Sequence, residues 1–286
     1  MVSNESPGVR LRSLLARKDT VLAVLGVHSA RVGQLMERTG CEAGFVGTNI
    51  TYGNYTGLPD TGVASATECL MIGGYIARAV SFPVLLDGDT GHGGRDAVRR
   101  LVSEAIREGL AGLRLDDQPI EEKRRTQSAG ISIVDREAAV ERYRTAVEAR
   151  DEIDPDFVIM AQCYARDASN GGMEEALERL ELYGREAGVD WVQFEGPHSV
   201  SEVKLARAKV TGPLSAMQGR MERPLTLEEH AEIGLDAAWY TFLPAQYELA
   251  QVLLFLREYE QQGIGAWTSW AERNGDLLGE ISKMTK

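Results

Sequence analysis

Eight short apolar runs, spread over the whole of a 286-residue chain and separated by amphipathic stretches, constrain the fold more than any other feature. The runs at 21–26, 43–47, 83–87, 111–116, 157–162, 190–195, 212–217 and 237–242 read as strands buried on both faces, since a strand covered by helices needs no polar alternation. Between them 96–109, 136–151, 173–187 and 226–234 carry helical spacing and helix-start residues. Eight strands with intervening helices predict an α/β fold of the (β/α)8 TIM barrel kind with extra C-terminal helices. A doubly wound open sheet would alternate similarly, but the first strand runs into Gly26-Val27-His28-Ser29-Ala30 and not into a Gly-x-Gly-x-x-Gly turn.

No linker rich in Pro, Gly or Ser divides the chain, so 1–286 is expected to be a single barrel domain, with 244–286 as a C-terminal helical extension. Residues 244–261 read as one long helix bearing Leu249, Val252, Leu253, Leu254 and Leu256. The tail beyond it holds Trp267, Trp270, Leu277 and Ile281, more apolar surface than a free tail carries. It is expected to pack on the barrel or on another subunit.

A net charge of -12 argues against nucleic acid or an anionic membrane as partner. It leaves an anionic substrate open, because a metal and local cations reverse the field inside a cleft. Cys41, Cys69 and Cys163 are odd in number and lack metal-ligand spacing, which fits small core residues in a reducing compartment. With no signal-peptide pattern and no apolar run approaching about 20 residues, the sequence predicts a soluble cytoplasmic protein.

Chemistry concentrates at 84–94, Val-Leu-Leu-Asp-Gly-Asp-Thr-Gly-His-Gly-Gly. Alternation along the strand would aim Asp87 and Asp89 to one side, and the glycines let the chain turn around a guest, most simply a hard divalent cation. An Asp-Gly turn without any metal is the plainer alternative. Barrel chemistry sits at the C-terminal strand ends. These collect Gly47, Thr48 and Asn49, Asp60 in the following loop, Asp87 and Asp89, Asp116 and Asp117, Gln162, and Glu195 on one expected rim. Acids gathered there would repel one another without a cation.

Four stretches resemble the isocitrate lyase and phosphoenolpyruvate mutase superfamily: Ser29-Ala30-Arg31, Gly57-Leu58-Pro59-Asp60, Asp87-Gly88-Asp89-Thr90-Gly91-His92-Gly93, and Asp116-Asp117-Gln118. The third is similar to the family's Asp-Ala-Asp-Thr-Gly-Tyr-Gly and is the most specific. The resemblance implies Mg2+, with Mn2+ as an alternative, held directly by Asp87 and through its water shell by Asp60, Asp89 and Asp116. Asp116 stands where the family usually has Glu. It also implies an α-oxo acid or its enolate bound at the metal, a carboxylate cradle at Gly47, Thr48 and Asn49, and a homo-oligomer, tetramer or dimer, with exchanged C-terminal helices. Asp60 as a turn acid and Asp116 as a helix cap remain open readings.

Several positions depart from the family pattern. The loop after the fourth strand reads Glu122-Lys123-Arg124-Arg125-Thr126-Gln127 and lacks the cysteine of the family's Lys-Arg-Cys-Gly-His motif, which argues against cysteine-dependent isocitrate or methylisocitrate cleavage. Lys123 matches the lid lysine, and Lys123 and Arg124 are its catalytic candidates; a solvated surface loop is the alternative. Gln162 replaces an arginine that engages a substrate anion, which implies a substrate lacking that group or presenting a neutral one. Met217 stands near a family asparagine, Glu195 matches the sixth-strand glutamate, and His92 replaces a tyrosine as a candidate acid or base.

The expected function is a Mg2+-dependent lyase that cleaves a carbon–carbon bond of a small α-oxo or 2-hydroxy carboxylic acid through a metal-stabilised enolate. Phosphonate mutase or hydrolase chemistry, or oxo-acid decarboxylation, is the alternative. A noncatalytic binding protein is the third reading, disfavoured because uncompensated rim carboxylates would cost stability.

Overall fold

The computed structural model describes residues 5–283. All eight strands are present within two residues of their expected bounds: β1 (Leu22–Gly26), β2 (Ala43–Val46), β3 (Val84–Asp87), β4 (Gly112–Asp116), β5 (Val158–Cys163), β6 (Trp191–Glu195), β7 (Leu214–Met217) and β8 (Ala237–Tyr240). They pair in parallel in the order β7-β6-β5-β4-β3-β2-β1-β8. Across the remaining seam, between β7 and β8, the Asp236 N–H donates to the Leu214 carbonyl at 3.1 Å. The Asp236 carboxylate returns the bond by accepting from the Leu214 N–H at 2.9 Å. The sheet is therefore a nearly closed (β/α)8 barrel, and an open doubly wound sheet is excluded.

Several of the helices that alternate with the strands begin at a residue whose side chain caps them. Ser29 accepts from the Val32 N–H at the start of Ala30–Arg38. Ser65 with Glu68 and Thr226 with Glu229 form reciprocal capping boxes at Ala66–Ala77 and Leu227–Ile233. The other expected helices are found at Arg95–Arg107, Arg136–Ile153, and Met173–Leu182 continuing into a wider turn at Tyr183–Ala187.

The barrel lumen is packed with side chains. Phe45 lies 4.9 Å from Trp239, and Trp239 lies 5.4 Å from Trp191, centroid to centroid. Buried aromatics of this size contribute the largest apolar areas of the core. At the β1–β8 contact only glycine fits, because a Cβ on Gly26 would stand 1.7 Å from the Thr241 carbonyl oxygen.

Residues 1–241 and 242–286 form two compact units. The second contains helices Leu243–Gln262, Ile264–Arg273 and Gly275–Lys283, the first two joined by Gly263 with φ 58. Leu249, Val252, Leu253, Leu254 and Leu256 are exposed along the first helix, and Trp267 stacks on Trp270 at 5.6 Å in the second. No helix among the described residues is long and apolar enough to cross a membrane.

Candidate active site

The C-terminal ends of β2, β3 and β4 gather four buried carboxylates: Asp60, Asp87, Asp89 and Asp116. Asp87 ends β3 and accepts from the Arg114 guanidinium at 2.8 Å and from the Thr48 N–H at 3.3 Å. Asp89 does not follow by strand alternation, since β3 stops at Asp87. Its own φ of 49 is left-handed, and its N–H donates to Asp87 Oδ1 at 3.3 Å. A non-glycine residue in that region is strained, and such strain concentrates at functional sites.

Lys123 lies buried among these acids. Its ammonium donates to Asp60 and, at 2.5 Å, to Asp89. Burial alone would lower the Lys123 pKa; the carboxylates of Asp89, Asp60, Asp87 and Asp116 outweigh it and hold the ammonium above its ordinary value. Burial likewise pushes Asp60 and Asp89 up, against the opposing pull of Lys123, and raises Asp116 to about 6. Four carboxylates thus face the ammonium of Lys123 and the guanidinium of Arg114, with Arg142 donating to the Asp116 carbonyl at 2.6 Å, so acids outnumber cations in a dry pocket.

That excess fits a divalent cation, and Asp89 Oδ2 is buried without a hydrogen-bond partner. The donors are all oxygens, as a hard ion requires. Among the described residues no three His, Cys, Asp or Glu side chains converge as a direct chelating set. An ion held by these carboxylates would therefore keep much of its water shell.

Arg114 and Asp117 were not singled out as structural partners in the sequence. Arg114 is a lone charge inside an apolar strand. It lies over the Phe45 ring at 4.4 Å, donates to Gln193 at 3.0 Å and holds Asp87 in place. Asp117, expected on the rim, points instead into the helix layer. It accepts there from the Tyr183 hydroxyl at 2.6 Å and the Tyr164 N–H at 2.9 Å, with Arg179 at 3.5 Å. Asp116 closes β4, and Asp117, one residue beyond the strand, is turned away from it to the Tyr183 hydroxyl and Arg179.

The loop after β4 lies down over the site. The Gln118 side chain accepts from the Arg124 N–H at 2.9 Å and donates to the Arg124 carbonyl at 3.0 Å, imitating a strand pairing. Thr126 donates its hydroxyl to Glu195. Arg220 reaches the Gln127 carbonyl at 3.1 Å and pairs with Asp167 at 2.9 Å. Arg124 and Arg125 are exposed, so the loop contributes the Arg124 backbone and the Lys123 ammonium, and the Arg124 guanidinium stays outside the acidic pocket.

Gly47, Thr48 and Asn49 follow β2, with Thr48 buried against Asp87. Across the mouth, Gln162 donates to Glu195 at 2.7 Å, and Met217 sits beside Glu195 in register. His92 is half-buried with φ 56; its Nε2 is buried without a partner, and burial is the main cause that lowers its pKa.

Burial also raises Glu195 from 4.5 to about 6, against the hydrogen bonds from Thr126 and Gln162. A carboxyl whose folded pKa exceeds its unfolded one costs stability when ionised. That cost is absent below about 4.5 and complete above about 6. In metal-free protein, the melting temperature of Glu195→Gln is therefore expected to rise relative to wild type as the pH climbs through that window. A difference that stays flat with pH would count against a buried, strained Glu195.

Residues 11–253 match the family model described as phosphoenolpyruvate phosphomutase. The chain belongs to that family. With it the chain joins the isocitrate lyase and phosphoenolpyruvate mutase superfamily. A 2-methylisocitrate lyase of Shewanella oneidensis is 31% identical over 255 residues, which span 87% of this chain and 85% of the relative. A 2,3-dimethylmalate lyase of Eubacterium barkeri is 34% identical over 203 residues, 71% of this chain and 68% of its own length. The structure of oxaloacetate acetylhydrolase with the inhibitor 3,3-difluorooxalacetate is similar at a TM-score of 0.84 and 25% identity, with 97% of each chain covered. Within this phosphoenolpyruvate phosphomutase family member, Arg114, Gln118 and Thr126 are the site residues that sequence reasoning missed. Only Arg114 left a signal, its charge in an apolar run.

Proposed function

We propose that this family member is a Mg2+-dependent lyase that cleaves a carbon–carbon bond of a small α-oxo or 2-hydroxy carboxylic acid. The observation that carries this reading is the excess of carboxylates over cations around Asp87, buried at the mouth of a barrel whose relatives bear lyase names. Asp87 would hold the ion, with Asp60, Asp89 and Asp116 on its water shell. When bound, Mg2+ supplies positive charge to the substrate oxygen on which negative charge accumulates.

The chain's own residues do the rest. Arg114 fixes the Asp87 carboxylate, and Gly47, Thr48 and Asn49 cradle the substrate carboxylate beside it. Lys123, clamped by Gln118 through the neighbouring Arg124 backbone, excludes water and adds a permanent charge to the closed site. His92, kept neutral by burial, offers Nε2 to a proton.

One observation favours the second reading, a phosphonate mutase or hydrolase or an oxo-acid decarboxylase: the loop over the site holds no thiol, and the Cys69 thiol, buried beside Thr48, is pushed far above its ordinary pKa by burial and by Asp89 and Asp87. The test is a screen of α-oxo acids, 2-hydroxy acids and phosphonates, following pyruvate, glyoxylate and phosphate release. Turnover is expected to vanish in EDTA and return with Mg2+ or Mn2+. Turnover indifferent to chelation would overturn the reading. The exposed apolar side chains of Leu243–Gln262 support a homo-oligomer built through this helix, read out by light scattering.

A further inference from the structure

The acids and the cradle occupy the β2–β4 half of the barrel mouth, so a small substrate reacting there turns its other end toward β5, β6 and β7. That wall is built from Gln162, Glu195 and Met217: the register Glu195↔Met217 sets two of them side by side, and the Gln162 side chain, whose register partner is Gln193, reaches along the wall to Glu195. Glu195 is 4% exposed. One of its oxygens accepts from Gln162 at 2.7 Å and the other from the Thr126 hydroxyl. Both partners are neutral, and among the described residues no ion pair reaches Glu195.

The surrounding cations are committed to other acids. Arg114 pairs with Asp87 at 2.8 Å, Arg166 with Glu202 at 2.8 Å and Arg220 with Asp167 at 2.9 Å, while Lys123 is held by Asp60 and Asp89. A carboxylate delivered to this wall would meet a buried like charge, and the cation that acts on that charge, Arg114, is already paired with Asp87. A donor would find the remaining lone pairs of Glu195 and the carbonyl oxygen of the Gln162 amide.

We propose that Gln162 and Glu195 are specificity-determining residues, and that they select a substrate whose far end is a neutral hydrogen-bond donor, a hydroxyl or a primary amide, in place of a second carboxylate. This rests on the function proposed above. The substrate class is then a monocarboxylic 2-oxo or 2-hydroxy acid with a polar, uncharged tail, and the wall rejects dicarboxylates by repulsion.

The test uses the full chain with Mg2+ and calorimetric binding of four probes: oxalate, which occupies only the reacting half, and malate, the 4-amide of malate and 2,4-dihydroxybutyrate. Oxalate is expected to bind, and the amide or the dihydroxy acid to bind at least about tenfold more tightly than malate. Gln162→Arg, which places a cation against Glu195 and the substrate tail, is expected to reverse that order while leaving oxalate affinity within about threefold. Should Gln162→Arg lose oxalate binding through misfolding, Glu195→Gln serves instead, and is expected to narrow the gap against malate to about threefold or less. Wild type that prefers malate, or variants that leave the order untouched, overturns the inference while oxalate binding leaves the function standing. Wild type that fails to bind oxalate overturns both.

Discussion

Replacing Lys123 by Ala is expected to lower kcat/KM on the substrate found by screening by about a hundredfold to a thousandfold, the usual cost of removing one preorganised charge from a closed site. The variant loses the ammonium that meets Asp60 and Asp89, and the loop loses its anchor inside the acidic pocket. Stability should move with the metal. In EDTA the variant leaves Asp60 and Asp89 without their cation, and breaking a buried pair costs about 3–5 kcal/mol. Saturating Mg2+ should return most of that loss, because a divalent ion offsets the same carboxylates and binds only the folded chain. Melting curves with and without Mg2+, beside steady-state kinetics, separate the two effects. Turnover left intact would remove Lys123 from the mechanism.

Arg114→Met is expected to destabilise the barrel strongly. The side chain is 7% exposed. It pairs with Asp87, bonds Gln193 and covers the Phe45 ring, so its loss strands a buried carboxylate and removes a cation–π contact. The expected cost is about 3–5 kcal/mol, which lowers the melting temperature of a chain of this size by on the order of 10 °C. Adding Asp87→Asn should recover a large part, because removing both members of a buried pair leaves no uncompensated charge. Chemical denaturation of the two variants measures the recovery. A loss below about 1 kcal/mol for Arg114→Met would mean that Asp87 is satisfied by other means.

The Asp87 motif was legible because a strand-ending acid followed by glycines is a local pattern. Asp89 was assigned to the right pocket for a different reason from the one that operates. The strand ends before it, and a left-handed backbone turns its carboxylate toward Lys123. Asp117 shows the converse: its neighbour Asp116 suggests the rim, but the chain leaving β4 turns it to Tyr183 and Arg179. Gln118 stands in a recognisable motif, but its role was not legible, since a side-chain amide gripping a backbone six residues on has no sequence pattern.

The sequence by itself determined the barrel, the position of its eight strands and the acidic character of one rim. Each of these depends on local quantities: the run length of apolar residues, the caps that start helices, and which residue types close a strand. Tertiary structure alone decided which charges compensate which. Lys123 meets an acid 63 positions away and another 34 away, and Arg114 meets one 27 away. Pairing energy depends on distance through space and on exclusion of water, and neither quantity is set by separation along the chain.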